Sequence, residues 1–329
     1  MGTISNEVQK YLEERQTFVD DAFKKIDVNI NIYLNDPIKY SLRSKGKRLR
    51  PIICMLCSET FGGDYRNATD AFFALELIHN GTLIHDDVID DDQYRRGQNS
   101  VHTKYGSKRA ILAGDILFSL SLKYATKTGK ISIIEKMSDV AIKMVQGAAI
   151  QTQMRGKVVS MSQYLDLTYL KSGSLLETAA VIGGLLNNID DESMFKISNF
   201  GKNFGLAYQI RDDVTDVISN SVSPTRGDIS NGDISLPLIY ALESKSISKP
   251  DHELLLKIFE GKLTEYREAD ILRIYNETGA LKKSVEKMEY FAKESASFLE
   301  TFSGLAVDCL KELINQNYYQ PILLENEFI

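Results

Sequence analysis

Five carboxylates crowd into seven residues at Asp86-Asp87-Val88-Ile89-Asp90-Asp91-Asp92. The run ends a helical pattern, so Asp86 and Asp90, four residues apart, share a face, with Asp87 beside them. Like charges at that spacing repel, and a hard cation relieves them. Mg²⁺ takes one or two protein carboxylates and completes its shell with water and substrate phosphates. An isolated acidic run is more often a solvated helix end. Here His85 precedes it and Arg95-Arg96-Gly97 follows. The Asp-Asp-x-x-Asp spacing returns 126 residues later at Asp212, Asp213 and Asp216. That second set follows Gln209 and ends an apolar stretch with Phe204, Leu206 and Ala207. Two such clusters can face each other across a cavity and hold several divalent ions and a polyphosphate.

Cations complete the set. Arg43, Lys45, Lys47, Arg48 and Arg50 put five positive charges into eight residues. Gly46 and Pro51 make this a turn leading into a helix, where amides and side chains can clamp an anion. A nucleic-acid or nuclear-localisation patch is the alternative. The net charge of −6 argues against a general nucleic-acid binder. Lys171-Ser172, on a helix starting near Gln163, is a further anion-binding candidate.

Helices must position these groups. There are six prolines in 329 residues, and none between Ile52 and Ser223, which permits long helices. In Ala68–Ile89 the apolar residues Ala71, Phe72, Leu75, Ile78 and Leu83 follow three- and four-residue steps. Similar stretches cover roughly 6–34, 109–125, 133–154, 162–186, 193–218 and 281–299. No segment shows strand alternation leading into a hairpin turn. These patterns predict one all-α domain, residues 1–329, of about ten or more helices. The polar stretch Ser219–Ser235 reads as a long loop, functional or disordered. An apolar content of 43% and 26% charged residues suit a globular chain. Three cysteines form no disulfide framework, and no secretory or membrane-spanning segment is evident, so a cytoplasmic protein is expected. Cys54 and Cys57 read as core, not zinc ligands.

Seven segments then carry a resemblance, in order. They are GKRLRP at Gly46–Pro51, ELIHNGTLIHDDVID at Glu76–Asp90, RRG at Arg95–Gly97, LAGD at Leu112–Asp115, LKSG at Leu170–Gly173, GLAYQIRDDVTD at Gly205–Asp216 and SLPLIYAL at Ser235–Leu242. The chain resembles the trans-isoprenyl diphosphate synthases (polyprenyl synthases) of geranylgeranyl or longer-chain type, along nearly its whole length. The resemblance implies an isoprenoid synthase-like bundle around a central cavity, and a homodimer. It implies condensation of isopentenyl diphosphate with an allylic diphosphate, with three Mg²⁺ ions and Mn²⁺ as a substitute. It makes Asp86, Asp90 and Asp212 direct metal ligands, with Asp87, Asp213 and Asp216 ligating or supporting. Gly46, Lys47, Arg50, His79 and Arg96 would hold isopentenyl diphosphate. Arg95, Lys171, Ser172 and Gln209 would hold the allylic partner. Lys171 and Gln209 count with Asp86, Asp90 and Asp212 as the catalytic set.

Gly81 and Thr82, five and four residues before Asp86, are the chain-length candidates. Short-chain relatives carry a bulky aromatic at the fifth upstream position, and Gly81 cannot block a tunnel. Close helix packing is the alternative reading of Gly81. A deeper floor could come from Ile78, Phe73, Leu117 or Phe118. The chain departs from the family pattern at Ser223 and Asp233, where lysines are usual, and Arg226 could compensate. Ala148 replaces an acidic residue common after Gly147. These departures motivate an alternative, a non-catalytic or regulatory subunit of a heteromeric synthase. A terpene cyclase, or an HD-type phosphohydrolase using His85-Asp86 and His79, does not need the Lys47–Arg50 cluster.

Overall fold

The computed structural model describes residues 5–26, 28, 30–43, 46–222 and 228–318. Among these residues the chain forms sixteen α-helices and one two-stranded hairpin. Long proline-free amphipathic stretches leave helix packing as the way to bury apolar surface. The chain divides into two compact units, both discontinuous in sequence. The first comprises Met1–Ile142, Leu175–Gly201 and Leu299–Glu312; the second Lys143–Ser174, Lys202–Phe298 and Leu313–Ile329.

In the first unit α1 (Asn6–Lys25) starts where Ser5 Oγ accepts the Val8 amide at 3.2 Å. The predicted helix over 6–34 is interrupted. After α1, Ile26 turns extended, and α2 (Ile32–Arg43) restarts at Asn31, whose side chain accepts the Tyr33 and Leu34 amides. The apolar period continues through both helices, so periodicity alone hides the break. Next come α3 (Leu49–Thr60) and α4 (Thr69–Ile89). From Ala71 to Ile78 every residue of α4 is buried, as befits a helix surrounded by others. The hairpin β1 (Tyr94–Arg95) and β2 (Gln98–Asn99) is too short to show alternation in sequence. It turns at Arg96 and Gly97, both at positive φ. Then follow α5 (Val101–Tyr105), α6 (Ser107–Lys127) and α7 (Ile131–Met154), whose residues from Lys143 belong to the second unit.

α4 and α6 pack closely. Ser121 Oγ donates to Ala74 O at 2.9 Å across them. A methyl group added at Gly114 would lie 2.2 Å from His85 Nε2, so glycine there makes room for the imidazole. Cys54 and Cys57 are free and buried in α3, and burial pushes the Cys54 thiol up to about 12. This matches their reading as core.

In the second unit α8 (Met161–Thr168) carries a reciprocal cap between Ser160 and Gln163. It runs through a π-helical turn, Tyr169–Gly173; the chain then continues as α9 (Ser174–Leu186), which from Leu175 belongs to the first unit. α10 (Asp191–Val222), in the second unit from Lys202, is followed by α11 (Asp228–Asn231), α12 (Leu236–Leu242), α13 (Lys249–Phe259), α14 (Glu268–Glu277), α15 (Ala280–Ser297) and α16 (Leu305–Tyr318), the last in this unit from Leu313. Helix therefore occupies both ends of the predicted 219–235 loop. Val214, Leu238, Leu255, Ile258, Ile271, Ile274 and Leu281 form the core here. Each is worth about 1.5–3 kcal/mol when fully buried.

Candidate active site

Within the first unit, α4 delivers Asp86 and Asp87 at its last turn, and Asp90 caps it with its amide 2.8 Å from Asp86 O. The two neighbouring carboxylates differ. Asp86 and Asp90 are partly exposed, whereas Asp87 is 2% exposed. Arg95 Nε donates to Asp87 Oδ1 at 2.7 Å, and Nη2 reaches the same oxygen. Arg95 Nη2 also meets Asp92 at 3.3 Å. Desolvation pushes the Asp87 carboxyl up to about 6 against the pull of Arg95. Arg95, expected at the allylic diphosphate, pairs here with the acidic segment and ties the hairpin to α4.

The basic group divides likewise. Arg48 is buried at the start of α3 at φ 46°, with Nη1 2.6 Å from Glu76 Oε1 and Nη2 2.5 Å from Leu42 O. It serves the fold, which corrects its place among the anion-binding cations. Lys45 lies outside the described residues. Lys47 is exposed, and Arg50 stands in the first turn of α3. The Arg96 guanidinium lies against Gly46: a methyl group there would be 2.6 Å from Arg96 Nη1. His79 of α4 sits in the same field. Desolvation, then Arg50, Arg96, Arg48 and Arg95, hold its imidazole well below the usual range, so it is neutral at pH 7. The structure therefore brings together Gly46, Arg50, His79 and Arg96. Thr82 spends its hydroxyl on His79 O at 2.8 Å. Gly81 is buried against α6, where an added methyl would meet Gly114 O at 3.3 Å and Phe118 Cε2 at 3.5 Å. His85 Nε2 lies 3.1 Å from Ile111 O and 3.6 Å from Asp115 Oδ1, and its ring is tilted 50° to that of Phe118.

Within the second unit, Lys171 and Ser172 occupy the π-turn, a feature frequent at functional sites. α7 and α10 approach it on glycines. A methyl at Gly147 would lie 2.7 Å from Lys171 N, and one at Gly205 2.6 Å from Gly173 Cα. Ser172 Oγ donates to Gln209 Oε1 at 2.7 Å, and Gln209 Nε2 donates to Asp213 Oδ1 at 3.2 Å. Tyr164 OH and the Leu236 amide both donate to Asp213 Oδ2, at 2.7 and 2.9 Å. Asp213 is 4% exposed, and burial pushes it up to about 6. Asp212 is exposed and Asp216 partly so. Asp216 Oδ2 accepts the Asp228 amide at 3.1 Å.

Both aspartate segments thus bury their second carboxylate on protein donors and leave the first accessible. Asp87 and Asp213, expected to ligate or support the metal, are buried and held by protein donors. No group of three metal-ligating side chains is drawn together among the described residues. The donor chemistry still fits Mg²⁺, whose remaining positions water and diphosphate oxygens would fill. Asp86, Asp90, Asp212 and Asp216 are the residues that would hold it. Tyr164, Asp228 and Arg155 join the second segment without any motif to announce them. Tyr164 precedes Lys171 by seven residues, two helical turns, which was the available signal. Asp233, where a lysine was expected, pairs with Arg155 at 2.9 Å. Ser223 and Arg226 lie outside the described residues.

The family model for polyprenyl synthetase matches residues 31–278. The chain is 33% identical over 250 residues to a short chain isoprenyl diphosphate synthase of Methanothermobacter thermautotrophicus, covering 74% of this chain and 76% of that one. It is 38% identical over 222 residues to a geranylgeranyl diphosphate synthase of Cyanophora paradoxa, covering 64% and 74%. Its structure is similar to that of geranylgeranyl pyrophosphate synthetase from Pyrococcus horikoshii, with a TM-score of 0.85, 27% identity, and coverage of 95% and 98%. The chain belongs to the polyprenyl synthetase family. It is a prenyltransferase of the isoprenoid synthase fold.

Proposed function

We propose that the chain joins isopentenyl diphosphate to an allylic diphosphate, head to tail, giving geranylgeranyl diphosphate or a longer product. The observation that carries this is the paired design of the two aspartate segments, an accessible carboxylate beside an anchored one. Mg²⁺, when bound, would neutralise the leaving diphosphate. Asp86, Asp90, Asp212 and Asp216 would hold the metal. Gly46, Lys47, Arg50, His79 and Arg96 orient isopentenyl diphosphate, the neutral imidazole adding a hydrogen bond without a further charge. Lys171 and Ser172 hold the allylic diphosphate, and Gln209 orients Ser172. The allylic C–O bond breaks, the isopentenyl double bond forms the new C–C bond, and the proton leaves with the departing diphosphate. No side-chain base is required.

The two units act as one prenyltransferase domain in this reading. Exposed Ile111, Leu112 and Leu122 on α6, with Ile131 and Ile142 on α7, support a homodimer. No helix among the described residues is long and apolar enough to cross a membrane. Free buried cysteines favour a reducing, cytoplasmic setting.

The test incubates the purified chain with Mg²⁺, labelled isopentenyl diphosphate and dimethylallyl, geranyl, farnesyl or geranylgeranyl diphosphate. A product ladder ending at one length is expected. Asp86→Ala and Asp212→Ala should each lower turnover by roughly 100-fold or more, the loss typical of one electrostatic contact to the leaving group. No incorporation by folded parent protein would favour the regulatory-subunit reading.

A further inference from the structure

Arg155 follows α7 directly, 78 residues from Asp233 in sequence. Its Nε donates to Asp233 Oδ1 at 2.9 Å and its Nη2 to Oδ2 at 3.3 Å. This is the forked pairing that gives arginine both charge and direction. Asp233 is 8% exposed, so the pair is poorly screened. A main-chain bond, Gly156 N to Gly232 O at 2.9 Å, runs beside it. Gly232 has φ 71°, and a methyl there would lie 3.0 Å from Gly156 N. Side chain and backbone together tie the end of α7 to the segment from Asp228 to Asp233.

That segment feeds the second aspartate motif. Its first amide, Asp228 N, donates to Asp216 Oδ2 at 3.1 Å. The Asp233 amide closes back on Asp228 O at 2.9 Å. Just beyond, Leu236 N donates to Asp213 Oδ2 at 2.9 Å.

We propose that Arg155, clasped by Asp233, is a positioning residue that holds Asp216 and Asp213 in register for the metal-bound diphosphate. Arg155 neutralises Asp233, which explains why an aspartate is tolerated where a lysine was expected. The inference rests on the prenyl-transfer reading and deepens its allylic half.

The experiment compares parent, Arg155→Ala, Asp233→Ala, and the reversed pair Arg155→Asp with Asp233→Arg. Calorimetry reads inorganic diphosphate binding in Mg²⁺, and steady-state kinetics reads KM for each substrate separately. Each single change should weaken diphosphate binding and raise the allylic KM by about tenfold, leaving the isopentenyl KM unchanged; the reversed pair should recover most of that loss. Single variants within twofold of the parent would overturn the proposal. Equal rises in both KM values with no recovery in the reversed pair would overturn it as well, marking a merely structural pair. Arg155→Lys and Asp233→Asn give the same readout where the alanine variants do not fold. Parent protein that binds diphosphate without turnover would count against prenyl transfer alone, and the calorimetric arm still decides the clasp.

Discussion

Tyr164 on α8 and Asp213 on α10 share a buried hydrogen bond of 2.7 Å, and it turns a motif carboxylate into a structural anchor. Asp213 has three protein donors, so deleting one leaves a buried charge short of a partner. Tyr164→Phe should therefore cost about 1.5–3 kcal/mol, the range for a hydrogen bond to a charged group. Urea unfolding of the two proteins at pH 7 checks this. Equal midpoints would remove the anchor role.

Asp87 gives a pH signature. Its folded-state value of about 6 lies above the usual carboxylate range because burial outweighs Arg95. A raised value means the native state holds its proton longer than the unfolded chain. The stabilisation is complete below about pH 4 and is lost as pH rises through 6. Asp87→Asn removes this titration. Wild type measured against that variant should lose on the order of 2–3 kcal/mol between pH 4 and 7. A pH-independent difference between the two unfolding curves would refute the assignment.

Arg48 and Glu76 make a fold prediction. Both side chains are nearly inaccessible and 2.6 Å apart. Removing one partner strands the other charge, so Arg48→Ala should lower stability by roughly 3–5 kcal/mol. Lys47→Ala, at the exposed residue just before it, should leave the unfolding midpoint almost unchanged while weakening isopentenyl diphosphate binding. Similar midpoints for both variants would contradict the division between them.

Product length should respond to the α4–α6 contact. Gly81 faces Phe118, so the aromatic ring comes from α6 instead of α4. Phe118→Ala is expected to lengthen the main product of the ladder. Gly81→Phe is expected to shorten it and to lower Tm, because the ring must also displace Gly114 O. Chromatography of labelled products separates these outcomes, and an unchanged ladder in both variants would exclude this contact as a determinant.

Much of the fold was legible because helix period and proline absence act locally. The stretches over 68–89, 109–125, 133–154 and 193–218 match α4, α6, α7 and α10 within a few residues. The break at 26–31 was not legible, since Asn31 ends one apolar stripe and begins another without changing its period. The site was half legible. Charges spaced for metal and diphosphate stand out in a linear chain. Which member of Asp86-Asp87 or Asp212-Asp213 is buried depends on Arg95 and Tyr164, and these partners are fixed only by folding. Arg48 shows the reverse error: a cation inside a basic motif can point inward to Glu76. Asp233 alone in sequence looks like a lost lysine, because Arg155 is invisible until α7 and the 228–233 segment meet.

The π-turn at Tyr169–Gly173 holds one residue more than the α-helix it interrupts. Deleting a single residue there would let α8 and α9 merge into one regular helix, with better backbone geometry. The helices on either side would keep their phase, because the π-turn takes up its extra residue locally. The change would fall on Lys171 and Ser172 themselves and on the close approach of Gly173 to Gly205. Five residues thus give up regular α-helical geometry at the two side chains, Lys171 and Ser172, that we propose hold the allylic diphosphate.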